Sequence, residues 1–185
     1  MKIEPLAIPE VKVITPARHQ DARGFLSEIW RQDAWADAGI ISDFVQDNHS
    51  FSMEKGIVRG LHFQTPPMAQ TKLVLVITGA IFDVAVDLRK NAATFGQHVT
   101  ATLSAQNGQQ ILIPKGFAHG FCTLEPNTHV IYKLSAPYAP DHDKGLLWND
   151  PALGIDWPVD PNKAKVSAKD QVQPLLAELP NYFEG

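Results

Sequence analysis

Two short segments of the chain place a histidine among turn-forming residues in a way that could support proton chemistry. In the first, Gly56 is followed by His62, Gln64, Lys72 and Gly79; in the second, Gly108, Pro114 and Gly116 lead into His119. Imidazole is the side chain whose ordinary pKa lies nearest neutrality, so it can take up or return a proton at physiological pH. A lone histidine in a strand is more often a satisfied structural residue. Two of them in matched settings, with Lys72 close behind the first, favour chemistry instead. Tyr132 and Asp170 add a phenol and a carboxylate. Taken singly, the first reads as a core aromatic with its hydroxyl at the rim, the second as a solvated residue or a cap.

The chain that must position these groups has 185 residues, 44% hydrophobic and 19% charged, an ordinary globular composition. That length predicts one domain over residues 1–185, large enough to bury a core without a disulfide or metal staple. The single cysteine, Cys122, excludes an intramolecular disulfide framework and a Cys-rich zinc site. Sixteen basic residues against twenty acidic ones give a net charge of -4 with no long Lys/Arg cluster. This argues against nucleic acid as a partner and leaves room for a nucleotide-sized anion held by a few local cations. Glu4, Pro5 and Pro9 interrupt what a signal peptide would need as its apolar core, and no run approaches the roughly 18 apolar residues of a membrane span. A soluble cytoplasmic protein with no membrane partner is expected.

Short apolar runs separated by Gly, Pro, Asn and Asp dominate the pattern. Residues 98–105 alternate, with Val99, Ala101 and Leu103 on one face. Residues 81–89 set Phe82, Val84, Val86 and Leu88 against Asp83, Ala85 and Asp87, which reads as a strand with an apolar and a polar face. Residues 72–79 and 109–116 are continuous Leu or β-branched runs, as expected of strands covered on both faces. Further strands are expected at 11–14, 25–30, 44–48, 57–63, 117–124, 129–134 and 146–148. Short helices are expected at 33–39, capped by Asp33 and stopped by Gly39, and at 173–180, ended by Pro180. Turn signals recur about every 8–12 residues and no βαβ alternation appears, so the fold class is all-β, a sandwich or barrel with a few short helices.

The second histidine segment matches the second motif of the cupin superfamily, Gly-x5-Pro-x-Gly-x2-His-x3-Asn, with Thr123 in place of the final Asn. The first segment is similar to the companion motif, Gly-x5-His-x-His-x3-4-Glu-x6-Gly, with Gln64 at the second histidine and Lys72 at the glutamate. A first-row metal in this fold wants about three imidazoles and a carboxylate. Only His62 and His119 remain of the four, and an ammonium repels a cation, so no metal is expected.

Seven stretches carry a more specific likeness: DARGFLSE (21–28), QDNHS (46–50), GIVRGLHFQ (56–64), AQTKLV (69–74), FDVAVDLRK (82–90), IPKGFAHGF (113–121) and WNDP (148–151). In this order, and continuing through SAKD (167–170), they resemble the dTDP-4-dehydrorhamnose 3,5-epimerase family. The resemblance implies a jelly roll with neither metal nor other cofactor, working as a cytoplasmic homodimer on the route to dTDP-L-rhamnose. A 4-keto-6-deoxy sugar has acidic protons on carbons 3 and 5, since loss of either gives an enolate stabilised by the carbonyl. Inversion then needs a base on one face, an acid on the other and a cation or donor beside the enolate oxygen.

The resemblance implies His62 as the base, Asp170 as the carboxylate behind it, Tyr132 as the acid and Lys72 beside the oxyanion. It further implies that Arg23 and Arg59 hold the diphosphate and that Glu28, Gln46, Asp47 and Asn48 line the nucleotide and sugar pocket. His119 and Lys169 match ligand-contact positions, and Tyr138 matches one whose ring stacks on thymine. Asp143 stands where the family usually has Glu, which shortens a substrate contact by a methylene, and Phe63 stands where many relatives have Tyr. WNDP reads as a turn with no catalytic part. Relatives that invert only one carbon share most of these motifs.

Overall fold

The computed structural model describes residues 1–40 and 43–184. Fourteen strands and one short helix follow one another along it: β1 (Lys2–Pro5), β2 (Lys12–Thr15), β3 (Arg18–Asp21), β4 (Gly24–Ser27), α1 (Gln32–Asp37), β5 (Gln46–Ser52), β6 (Ile57–Gln64), β7 (Lys72–Thr78), β8 (Ala80–Asp87), β9 (His98–Ser104), β10 (Gln110–Ile113), β11 (Phe117–Thr123), β12 (Thr128–Leu134), β13 (Asp143–Gly145) and β14 (Lys165–Val166). One sheet runs β1-β2-β10-β7-β12-β5, all antiparallel. The other runs β13-β6-β11-β8-β9, with β14 added in parallel to β6, and β3 with β4 forms a separate hairpin. The two large sheets pack as an open jelly-roll sandwich, the all-β architecture of the cupins.

The interior between the sheets is apolar at one end. Val74, Val76, Ile111, Ile113 and Val130 of the first sheet meet Ile81, Ala85, Val99, Leu103, Phe117 and Phe121 of the second. Both outer faces are covered as well. Trp35 of α1 packs with Ile14, Ile40, Leu73 and Leu112 outside the first sheet. Ile155, Trp157, Leu176, Leu179, Tyr182 and Phe183 lie against Leu61, Phe63, Val84 and Val86 outside the second.

That second covering corrects the reading of β8. Its apolar row Val84 and Val86 faces outward under the C-terminal segment, while Asp83 alternates with Ile81 and Ala85 on the inner side. Asp83 and Asp87 are both fully buried. Asp87 accepts from Arg89 and Thr94 there. Alternation alone cannot tell an exposed polar row from an interior one when both faces are covered.

Smaller differences have equally local causes. The helix at 33–39 begins one residue earlier, and Asp33 sits in its first turn, accepting from Ala34 N and Arg31, with Arg31 at the cap position. The segment 173–180 makes only a 3-10 turn at Leu176–Glu178, because its backbone ties to neighbours: Leu147 N donates to Pro174 O, and Leu176 N to Asp150 Oδ2. Residues 146–148 are not a strand; β13 ends at Gly145. The WNDP turn anchors this region through Asp150, which also accepts from Ala152 N.

One irregularity decides what the cleft can hold. Between His119↔His62 and Phe121↔Arg59 the register shifts, so two steps on β11 oppose three on β6. This is a β-bulge, and it changes which face the residues on either side of it present. Gly60, at φ +122, makes it possible: a Cβ there would lie 2.5 Å from Gly120 Cα and 2.7 Å from His119 O. Gly24 also has positive φ, +128, but open space around it. Gly60→Ala is therefore expected to destabilise the fold by about 3 kcal/mol, from clash and strain together, whereas Gly24→Ala costs about 1 kcal/mol from strain alone. Urea denaturation of the two variants tests this ordering; equal costs would remove the steric role given to the Gly60–Gly120 contact.

Candidate active site

The polar side chains gather at the end of the sandwich opposite the apolar packing. On β6 the bulge lets both Ile57 and Arg59, before it, and His62, after it, face the space between the sheets. A regular strand would send Arg59 and His62 to opposite faces. His119 lies directly across from His62 on β11. From the other sheet come Lys72 at the start of β7, Tyr132 on β12 and the inner row of β5. Ser167, Lys169 and Asp170, in the segment after β14, close the side. The result is a cavity of about 300 Å³. An adjoining one of about 260 Å³ shares His62, Lys72, Tyr132 and Lys169 with it and adds Asn48, Tyr138 and Asp143.

His62 and Asp170 form a short polar contact in the cleft, with Nε2–H donating to Oδ1 at 2.6 Å. A carboxylate partner fixes the proton on Nε2, which leaves Nδ1 with the free lone pair. The second carboxylate oxygen accepts from Gly60 N at 3.3 Å. Asp170 is 3% exposed. Burial pushes its carboxyl upward, but the hydrogen bond and charge of His62, with Gly60 and Ser167, outweigh this and hold it below the usual carboxylate range.

Lys72 is buried, and its Nζ donates to the His62 carbonyl at 3.0 Å. Burial pushes the ammonium down to about 8, against the pull of the Asp143 and Asp83 carboxylates. His119 Nε2–H donates to Asp83 Oδ2 at 2.8 Å. Burial raises the Asp83 carboxyl, opposed by His119 and Lys72. Behind the cleft, Lys72, Asp83 and His119 thus form a buried polar cluster that no sequence motif marked as a whole. Asp83 was the missed member, since the pattern of β8 set it on a polar face; its position inside a strand flanked by apolar residues on both sides was the available signal.

The remaining expected residues divide clearly. Arg59 lines the cleft and is braced by Ser52 Oγ at 3.2 Å and Phe51 O at 2.9 Å. Lys169 pairs with Asp143, whose carboxylate raises the ammonium's pKa, and Tyr138 OH donates to the same Asp143 oxygen at 3.3 Å. Gln46 braces the wall, donating to Asn48 Oδ1 and accepting from Tyr138 N. Asp47 does not line the cleft: it alternates with Gln46 and Asn48 on β5 and pairs with Lys133 on the outer face. Three consecutive strand residues cannot all face one pocket. Arg23 and Glu28 also lie away from it. Arg23, with its side chain 90% exposed, pairs with Asp21 at the tip of the β3–β4 hairpin, and Glu28 pairs with Arg31. Ser50, Lys165 and Ser167 also line the cleft; Ser50 and Ser167 lie within the QDNHS and SAKD stretches, but only the fold shows that they face it.

A cupin metal would be held from the positions of His62, Gln64, Lys72 and His119. Gln64 uses its amide elsewhere, donating to Met68 O and Pro137 O and accepting from Ala139 N. With a cation at the third position, this donor set does not fit a metal ion. A separate cavity of about 220 Å³ under the C-terminal segment is lined mainly by Leu88, Phe95, Leu176, Leu179, Tyr182 and Phe183 and lacks an acid–base pair.

Comparison with known proteins gives the family. A family model described as dTDP-4-dehydrorhamnose 3,5-epimerase matches residues 5–178. The protein of that name from Sinorhizobium fredii is 49% identical over all of this chain and 94% of its own. The Bacillus anthracis dTDP-4-dehydrorhamnose 3,5-epimerase, solved with TDP and pyrophosphate bound, is 49% identical with a TM-score of 0.91, over 94% of this chain and 98% of its own. A Legionella pneumophila dTDP-6-deoxy-D-glucose-3,5-epimerase, solved with dTDP-4-keto-L-rhamnose, is 42% identical with a TM-score of 0.92, over 97% of this chain and 94% of its own. With a matching family model over most of its length and relatives near half identity, this chain is an isomerase belonging to the dTDP-4-dehydrorhamnose 3,5-epimerase family.

Proposed function

We propose that the protein inverts carbons 3 and 5 of dTDP-4-dehydro-6-deoxy-D-glucose to give dTDP-4-dehydro-L-rhamnose, in dTDP-L-rhamnose biosynthesis. The observation that carries this reading is the placement of an imidazole on one sheet, backed by a carboxylate from the C-terminal segment, and a phenol on the other sheet, across a cleft with a buried ammonium. His62 Nδ1 takes the proton from the carbon next to the carbonyl, and Asp170 steadies the imidazolium that results. The electron pair moves onto the C4 oxygen as an enolate, stabilised by Lys72. Tyr132 returns a proton from the opposite face. Both carbons flank the same carbonyl, so one oxyanion donor serves both inversions. Solvent then resets the imidazolium and the phenolate.

Arg59 and Lys169 supply cations for the diphosphate, with Tyr138 for the base and Asn48, His119 and Asp143 for the sugar. Arg23 and Glu28 fit this scheme only when a second copy supplies them. In the reading advanced here the single domain works as a homodimer, the β3–β4 hairpin of one copy reaching the other's cleft; Phe25 and Leu26 of that hairpin are 56% and 75% exposed. The expected location is the cytoplasm, and no helix among the described residues is long and apolar enough to cross a membrane.

Proton NMR of the substrate in deuterium oxide tests the reaction. Signal is expected to vanish from both carbons, whereas exchange at carbon 3 alone would make the enzyme a single-carbon epimerase. His62→Asn should slow exchange about 10²–10⁴-fold while TDP binding, followed by calorimetry, stays within a few-fold of wild type. Wild-type exchange in that variant would remove His62 as the base.

Lys72 sets an alkaline limit. Its lowered pKa means that it sheds its proton, and with it the oxyanion stabilisation, as pH rises through about 8. The kcat/KM profile, which reports the free enzyme, should fall above that value, and Lys72→Arg should move the limb to higher pH. An unchanged limb in Lys72→Arg would assign it to another group.

Dimeric sharing has its own signature. Arg23→Ala and His62→Asn, each weakened alone, should recover about a quarter of wild-type activity when co-expressed, since half the dimers are mixed and each of these has one intact cleft. No recovery would return Arg23 to a purely local role.

A further inference from the structure

The inner row of β5 carries Gln46, Asn48, Ser50 and Ser52, and three of the four have a partner. Gln46 and Asn48 bond each other, and Ser52 accepts from Arg59. Ser50 Oγ is buried and has none; among the described residues the only other such side-chain atom is Asp83 Oδ1. Buried hydroxyls are nearly always bonded, because an unpaired one costs the fold its desolvation. Yet Ser50 itself lines the cleft. Rotation about its Cα–Cβ bond from one staggered position to another swings the hydroxyl toward that space, an inexpensive change for serine.

Its place along the strand says what it would meet. Asn48 lies opposite Tyr132 on β12, Ser50 opposite Val130 and Ser52 opposite Thr128. Inward residues on a strand are about 6.7 Å apart, so Ser50 sits one repeat from the level of the phenol and one repeat from the serine that holds the Arg59 guanidinium. A sugar nucleotide with its ketone at the proton-transfer groups and its diphosphate at Arg59 passes Ser50 at the junction between the two. We propose that Ser50 is a substrate-binding residue whose hydroxyl donates to the sugar-proximal phosphate and so sets how far the sugar reaches toward His62 and Tyr132. This rests on the epimerase reading above.

An unpaired hydroxyl gives the test an unusual sign. Removing it takes no bond from the unliganded fold, so Ser50→Ala should melt at the same temperature as wild type or higher. Its kcat/KM should nevertheless fall about 10- to 100-fold, the range for a hydrogen bond to a charged group. TDP affinity, measured by calorimetry, should fall in parallel, and Ser50→Thr, which keeps the hydroxyl, should recover most of both. Wild-type kcat/KM in Ser50→Ala would overturn the proposal. So would a loss of activity that tracks a lowered melting temperature, which marks a structural role, or unchanged TDP binding, which removes the phosphate contact. Wild-type protein measured in parallel separates this from the reaction itself: an inactive wild type sinks the epimerase reading, an active one isolates Ser50.

Discussion

The cleft depends on one extra residue in one strand. The bulge at Gly60 lets Arg59 and His62 share a face that a regular pleat would deny them, and it does so where Gly60 and Gly120 lack side chains and the backbones can close up. The same irregularity frees an amide from the ladder, and that amide donates to Asp170. Asp170 in turn holds His62 at 2.6 Å across a separation of 108 residues. The bulge therefore sets the reach of the guanidinium, the orientation of the imidazole and the docking of the carboxylate at once. The C-terminal segment that carries this carboxylate is brought back over the second sheet by β14 on β6 and by the packing of Tyr182 and Phe183 against Phe63.

The floor of the cleft runs against the economy of folding. Taking an ammonium and a carboxylate out of water is costly even when they attract each other. Here Lys72, Asp83 and His119 sit within the sandwich, and the hydrogen bond from His119 and the nearby Lys72 ammonium offset only part of the cost of burying Asp83. Asp83 retains one oxygen without a partner among the described residues. A stable fold alone would have filled these positions with Val or Leu, as the other end of the sandwich does. The polar end is the destabilised one, the expected trade where a low-dielectric site must stabilise developing charge.

Much of this was legible in the sequence. Alternation and turn residues located most of the strands, and the paired histidine segments with Lys72 pointed at the cleft. What misled was mostly a matter of which side a residue faces, or of tertiary bonds overriding a local pattern. Asp83 looked solvent-facing because the C-terminal segment covering the other side of β8 is more than 60 residues away in sequence. Asp47 looked like a pocket residue because its neighbours are. Residues 173–180 carry a helix-like apolar spacing, but tertiary hydrogen bonds from Pro174 and Leu176 hold them as a strap. No local pattern encodes the bulge either: Gly60 is one glycine among twelve. Only the pairing of His119 with His62, and of Phe121 with Arg59, reveals it.

The same sandwich can serve a metal or a substrate, and the difference lies in where the donors point. A metal site needs its ligands to converge on one point at about 2 Å. Here the four corresponding positions diverge in purpose: Gln64 ties down loops, Lys72 bonds a carbonyl, and each histidine spends Nε2 on its own aspartate. Each imidazole is left with one basic nitrogen, and the donor set no longer surrounds a single centre. Inversion at carbon asks for that separation, because the proton must leave one face and arrive at the other. Two sheets facing each other across a cleft, with His62 on one and Tyr132 on the other, hold the separation that the proposed reaction would use.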